Sequence, residues 1–298
     1  MTETNVAAQP ILLRILQHPL ARLIVLGSVM FAFMAWAQSR LDDFHDRPLL
    51  DAAIQIGLGL AAIVLYVAYG KLIERREVAE LSMPGLGREW AIGALIGAGL
   101  YTACAMILML LGIYRVEGFN PWAFLLPNLA LAIKSGIFEE LLFRGVLFRS
   151  VEAIFGSWVG ILVSSLAFGL LHLLNPGATL GGALYICIEA GLLLSAAYLV
   201  TRRLWICMGF HMAWNYFESA VFSGVVSGAV SDPGLLRATI AGPELLTGGS
   251  FGMEHSLVAL VLCTTTGVIL LMMAIRRGHM LPPNLRLNGH PAAWSRNS

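Results

Sequence analysis

Charge is what this sequence has least of. Of its 298 residues only 12% are Asp, Glu, Lys or Arg, whereas soluble domains carry about 25%. That deficit, with 58% hydrophobic residues and a mean hydropathy of +0.77, excludes an ordinary soluble enzyme and leaves a polytopic membrane protein. Basic runs are missing too. A net charge of +1 and thinly spread Lys and Arg exclude a nucleic-acid partner. Cysteine is scarce: Cys104, Cys187, Cys207 and Cys263 stand singly in apolar segments, with neither a CxxC pair nor a secreted disulfide framework around them. They read as core or lipid-facing residues. The sequence also lacks an internal repeat, an HExxH motif, and a small-residue cleavage pattern behind its first apolar run. The first run therefore reads as a retained helix rather than a signal peptide.

What is present is apolar length. Runs of about 20 residues, enough to span a bilayer, fall at Leu20–Ser39, Leu49–Tyr69, Trp90–Ile113, Trp122–Phe148, Ser157–Leu174, Leu180–Val200, Leu204–Val226 and Leu257–Ile275. The expectation is an all-α membrane protein, an eight-helix transmembrane bundle forming one integral-membrane domain over 1–298. With the N-terminus inside, fourteen Lys and Arg residues, among them Lys71, Arg76, Arg202, Arg203 and Arg277, fall on the cytoplasmic side. Only Arg40, Arg47, Arg115 and Arg237 face the other, as the positive-inside rule requires. Both termini are then cytoplasmic. Arg40 and Arg47 flank Asp42, Asp43 and Asp46 in a short solvated loop. Residues 226–255 form a Gly-rich loop too polar to span, and loops this long are often functional. The tail 278–298, with Pro282, Pro283 and Pro291, is expected to be flexible.

Against this apolar background a few ionisable residues stand out. Phe138-Glu139-Glu140-Leu141-Leu142-Phe143-Arg144 places two carboxylates and a guanidinium inside a membrane-compatible run, where each charge costs roughly 2.5–3.5 kcal/mol on insertion and is a functional candidate by default. Phe168 with His172, and His211 with Asn215, follow at a spacing of four, so each pair shares a helix face. Glu, His, His and Asn buried together compose a hydrolytic site. The fourth and fifth spans form a hairpin turning near Gly156. Glu139 and His172 then lie at the same depth, roughly 25 Å from that turn at about 1.5 Å per residue. His211 and Asn215 lie only about 12–18 Å from their own turn at Arg202 and Arg203. The levels match if the first hairpin projects by roughly two helical turns. Ordinary alternatives exist for each pair: an i,i+4 ion pair at a helix end, an interfacial histidine before Asn175-Pro176-Gly177, interhelical hydrogen bonding. Their joint appearance argues for chemistry. Glu189 and Glu218 are further intramembrane acids, with Lys134 as a counter-ion or a snorkelling lysine.

The set Glu139-Glu140-x-x-x-Arg144, Phe168-x-x-x-His172 and His211-x-x-x-Asn215, in this order on successive helices, resembles the CAAX prenyl endopeptidase and bacteriocin-processing (CPBP, or Abi) family of intramembrane proteases. Leu204-Trp205 and the run from Gly242 to Gly252 are similar to bacterial members. The diagnostic part, 121–217, is the motif-bearing catalytic core. The resemblance implies an eight-helix bundle that hydrolyses a peptide bond in a membrane, for a bacterium the inner membrane, with lipid around it and a peptide or protein substrate, prenylated proteins included.

Matched residue by residue, Glu139 and His172 activate water while His211 and Asn215 hold the oxyanion. Glu140, Arg144 and Phe168 support them. Arg144, one turn from Glu140, offsets part of the burial cost of both charges. Glu139, about 100° round the helix, is left to act as a base. Glu139, His172 and His211 also compose a zinc set with an open position. Asn215 is a poor zinc ligand, so the metal-free reading, which uses all four residues, is favoured and no cofactor is expected. The competing class is a transporter or scaffold using the same polar residues for an ion or a partner helix; the inverted repeats of many transporters are not visible here.

Overall fold

The computed structural model describes residues 10–41, 47–229 and 233–284, so the acidic turn of Asp42, Asp43 and Asp46 and the tail beyond Asn284 lie outside it. The apolar runs fold as helices: α1 (Gly27–Leu41), α2 (Pro48–Ala68), α3 (Leu86–Leu110), α4 (Leu125–Glu140), α5 (Arg149–Leu171), α6 (Leu180–Ile186), α7 (Leu192–Thr201), α8 (Trp205–Tyr216) and α9 (Leu257–Arg276). Six continuous helical stretches are long and apolar enough to cross a membrane, which makes this an integral membrane protein.

The expected eight spans map onto those six for two physical reasons. Trp122–Leu174 is helical almost throughout, yet it contains two of the expected spans, folded back on each other where Gly156 takes a left-handed φ of 82°. A side chain is strained in that conformation, so glycine makes the corner. Ser164 donates to the Phe143 carbonyl at 3.1 Å across the hairpin, and Phe143 meets Phe168 edge-on. The expected Leu204–Val226 span is the shorter α8 plus a π-helical turn, Phe217–Val221.

Glycine also sets how closely α8 is held. A Cβ at Gly93 or Gly97 of α3 would overlap the carbonyls of Ile206 and Phe210, and one at Gly209 would overlap that of Trp90. Small residues thus let α3 and α8 meet backbone to backbone, the usual device for helix association in lipid. On its other flank a Cβ at Gly136 would lie 2.9 Å from the Met212 nitrogen. So α8, which carries His211 and Asn215, is wedged between α3 and α4. The four cysteines are buried and unpaired by disulfides.

Two regions differ from the sequence reading. The Gly-rich stretch is folded: β2 (Leu236–Ile240) pairs antiparallel with β1 (Tyr114–Phe119), and short helical turns follow it. Neither strand was expected, because five or six residues within a membrane protein carry little period-two signal. The chain after Gly278 is docked as far as Asn284, rather than flexible. Leu281 exchanges hydrogen bonds with Ser157, donating to its hydroxyl at 2.8 Å and accepting from its amide at 3.0 Å, and Asn284 donates to the Ile154 carbonyl at 3.0 Å.

Arg76, Arg149, Arg202 and Arg203, expected on one side, gather at one end of the bundle. There Glu80 is buried against Arg149, Arg76 and the Tyr66 hydroxyl. Arg202 pairs with Glu152 at 2.6 Å, so the corner at Gly156 reaches only about one helical turn, ~6 Å, past the α7–α8 turn. The expected projection was two turns. Burial alone would raise the Glu80 carboxyl; Arg149, Arg76 and the Tyr66 hydrogen bond outweigh it and hold it down at about 2. A carboxylate that ionises more easily folded than unfolded stabilises above its unfolded value near 4.5, and that contribution disappears as the pH falls towards about 2. Melts in detergent should therefore show the transition temperature falling across this acid window. Glu80→Gln should melt lower at neutral pH and respond less to acid. An unchanged acid response in that variant would rule out Glu80 as the group responsible.

Candidate active site

The sequence motifs meet at the junction of α4, α5 and α8. Glu139 and Glu140 end α4, and Arg144 lies within the π-helical segment Leu141–Phe148 that follows. Glu140 and Arg144 are both completely buried and paired at 3.0 Å. Arg144 also donates to the carbonyls of Ala190 and Gly191 at 3.2 and 3.3 Å, and its guanidinium lies over the Phe168 ring, 4.6 Å from the centroid. A carboxylate, two carbonyls and an aromatic face together replace the water that the cation has lost. Phe168 is therefore a packing residue: it also contacts His172 and His211, with ring centroids 5.0 and 5.8 Å away.

The hydrogen bonds assign the histidine tautomers. His172, in the 3₁₀ turn that ends α5, has Nδ1 2.8 Å from the Phe168 carbonyl. A carbonyl only accepts, so Nδ1 carries the proton and Nε2 presents a lone pair. His211 Nδ1 lies 2.9 Å from Glu140 Oε1, and the same reasoning places its proton there. Both Nε2 atoms face Glu139, at 4.0 Å for His172 and 3.9 Å for His211. Asn215, one turn beyond His211, donates to Ser135 Oγ at 3.2 Å. Glu139, His172, His211 and Asn215 all line one cavity of about 230 Å³, whose other walls include Met34, Leu131, Phe138 and Leu193. The structure thus brings together the residues of the three motifs, with Glu140 and Arg144 behind the cavity and Glu139 within it.

Residues 120–217, about a third of the chain, match the family described as type II CAAX prenyl endopeptidase Rce1-like. This segment is similar to an Rce1-like domain. No curated protein and no solved structure matches the chain. The Rce1-like family is one of membrane proteases. The matched segment holds Glu139, His172, His211 and Asn215, both hairpin helices and α8, whereas α1 to α3 and everything after Phe217 lie outside the match.

Some cavity residues lie beyond the Rce1-like segment. Glu254, from the turn Met253–His255, accepts from Trp214 Nε1 at 3.0 Å and from Ser227 Oγ at 2.5 Å, and it lines the same cavity with Glu189. Sequence reading passed over Glu254 because it stands in a polar loop, where an acid carries no signal. Asp51 and Glu139 are acids that act on Lys134, which lines the same cavity.

A zinc ion among Glu139, His172 and His211 would need donors about 3.3 Å apart for tetrahedral bonds of about 2.0–2.1 Å. The observed spacings of 3.9 and 4.0 Å are wider, and among the described residues no group of three His, Cys, Asp or Glu is placed to hold a metal. The side chains as placed do not fit the ion, and no step is derived through one.

Removing Arg144 while Glu140 stays would leave a buried charge uncompensated, at a cost of about 3–5 kcal/mol. Arg144→Ala should therefore lose most of its folded yield, and Arg144→Met with Glu140→Gln together should cost less than the two single changes added. Strict additivity in that double-mutant cycle would show that the two do not act as a pair.

Proposed function

We propose that the protein is an intramembrane endopeptidase in which Glu139 and His172 activate water, while His211 and Asn215 bind the oxyanion. The observation that carries this reading is the placement of one carboxylate between two imidazole Nε2 atoms on the wall of a cavity within the membrane-spanning helices. Water beside Glu139 gives up a proton to the carboxylate, assisted by the His172 lone pair, and its oxygen attacks the peptide carbonyl carbon. Negative charge develops on the carbonyl oxygen. Collapse of this tetrahedral adduct breaks the C–N bond, and the proton held at Glu139 passes to the leaving amine. No other reactant is required.

The hydrogen bond from His211 to Glu140 bears on the oxyanion role. With Nδ1–H committed to Glu140, a neutral His211 has no proton at Nε2, so donation to an oxyanion requires the imidazolium. Its charge is matched: Glu139 and Glu140 carry two negative charges, Arg144 and His211 two positive, and a neutral cluster is far cheaper to bury than one with net charge. Asn215 supplies a neutral donor beside it, once its amide turns from Ser135 to the substrate. Prenylated CAAX proteins are the substrate class that the Rce1-like match favours, and the apolar walls at Met34, Leu131 and Leu193 suit a lipid-modified peptide.

The test is hydrolysis by purified protein of a prenylated CAAX peptide beside a panel of membrane peptides. Glu139→Gln and His172→Ala should abolish cleavage while melting like the parent protein. Asn215→Ala should lower kcat by about 10²–10³ with little change in KM, as loss of one oxyanion donor does. Exhaustive chelation should leave the rate unchanged, since water activation here needs only Glu139 and His172. Loss of activity on chelation with recovery on adding zinc would replace this mechanism by a metal-dependent one. No cleavage of any peptide, with Asn215→Ala altering only ligand affinity, would replace the protease by a transporter or scaffold.

A further inference from the structure

A second cavity, of about 270 Å³, lies beside the first at the end of the bundle that carries the β1–β2 pair, and Ile240 of β2 and Thr247 are on its wall. The two are separated by a single layer of residues. Val225 and Met253 line the second cavity, whereas their chain neighbours Val226 and Glu254 line the first. Tyr101 faces the second and Trp214 the first, and their rings meet edge-on at 5.2 Å.

That layer is polar where an apolar partition would be expected. Glu218 is completely buried with the Tyr101 hydroxyl and Trp214 beside its carboxyl, yet neither carboxyl oxygen, nor the buried Tyr101 hydroxyl, reaches full hydrogen-bond geometry with a protein group. The two flank one point: a Cβ at Gly224 would lie 2.7 Å from the Tyr101 hydroxyl and 3.1 Å from Glu218 Cγ. On the catalytic side Glu254 continues the polar path, held by Trp214 and Ser227. Glu218 and Glu254 act on each other electrostatically, so the row is acidic throughout. Each buried polar group left without a partner costs about 1–3 kcal/mol. Proteins usually meet that cost with internal water, which makes about three hydrogen bonds and takes about 30 Å³. The second cavity has room for several.

We propose that the Tyr101–Glu218–Glu254 layer is a water conduit, admitting water from the β1–β2 end of the bundle to the catalytic cavity. The inference rests on the hydrolytic reading of Glu139 for its purpose, though not for its existence. A hydrolase whose cavity also has apolar walls at Met34 and Leu131 draws little water from lipid, and each turnover consumes one molecule. Water crossing beside Trp214 arrives on the wall that holds Asn215 and His211, facing Glu139.

Two variants close the layer by different means: Glu218→Leu removes its central polar group at similar volume, and Gly224→Ala presses a methyl group against the Tyr101 hydroxyl and Glu218. Radiolytic hydroxyl labelling reads bound water directly and needs no substrate. Tyr101 and Trp214 in the parent protein should label far more than their burial allows, and both variants should lose most of that labelling. In the peptide assay kcat should fall about tenfold with KM unchanged, while Glu218→Gln, which keeps hydrogen-bonding groups in place, should restore both readouts. Binding of the peptide to these variants in a Glu139→Gln background should match that of Glu139→Gln alone, which separates slow water delivery from a damaged site. Unlabelled Tyr101 and Trp214 in the parent protein, or a parent-like kcat in folded Glu218→Leu and Gly224→Ala, would overturn the conduit. A parent protein that labels but cuts no peptide would sustain the conduit and overturn the hydrolase.

Discussion

The rest of the site hangs on one ion pair that has no access to water. Glu140 and Arg144 are both at zero exposure, and each is held by groups from other helices. Arg144 reaches the Ala190 and Gly191 carbonyls between α6 and α7 and lies under the Phe168 ring of α5. Glu140 reaches His211 of α8. Three segments distant in sequence are thereby tied to one turn of helix. The pair does little for net stability, because desolvation offsets most of its Coulomb energy. Its effect is on geometry: any shift of α8 or α5 would strand a charge in an apolar interior, so only one arrangement of these helices is cheap.

The π-helical segment Leu141–Phe148 belongs to the same constraint. Widened turns recur at functional sites, since they re-aim side chains without ending the helix. Here the segment carries Arg144 inward and continues to Phe148, whose ring packs on Tyr198. Glycine does the complementary work. Gly93, Gly97 and Gly209 let α8 approach α3 to backbone contact, and that depth of packing brings His211 within reach of Glu140.

The four-residue spacings put Glu140 with Arg144 and His211 with Asn215 on shared faces, and the hairpin depth put His172 opposite Glu139; these follow from helical rise and period alone and needed no tertiary information. What stayed hidden depends on contacts between segments with no common period. Glu254 looks like any loop acid until the turn at Met253–His255 folds against Trp214. Strands β1 and β2 are too short and too far apart in the chain to announce each other. The docking of residues 279–284 combines backbone groups around Gly156 and Ser157 with the Ser157 hydroxyl, contacts that no sequence period encodes. The influence of Asp51 and Glu139 on Lys134 was not legible either, because a helix sequence fixes a residue's angle but not which neighbour lies at that angle.

Charge counting ties these observations together. Glu139, Glu140, Arg144 and His211 balance only when the histidine is cationic, and the tautomer imposed by Glu140 makes that same state the one able to donate from Nε2. The acid that supports Arg144 thus also determines what His211 can do. Across the cavity the logic reverses. No lysine or arginine is among the groups acting on Glu189, Glu218 or Glu254, and burial raises the Glu254 carboxyl, opposed by its bonds from Ser227 and Trp214 and by the two histidines. Acids so placed in a low-dielectric interior are satisfied by internal water where no cation reaches them. One wall of the cavity is therefore built from compensated charge and the other from polarity without a cationic partner, which is the asymmetry that the proposed hydrolysis and its proposed water supply both draw on.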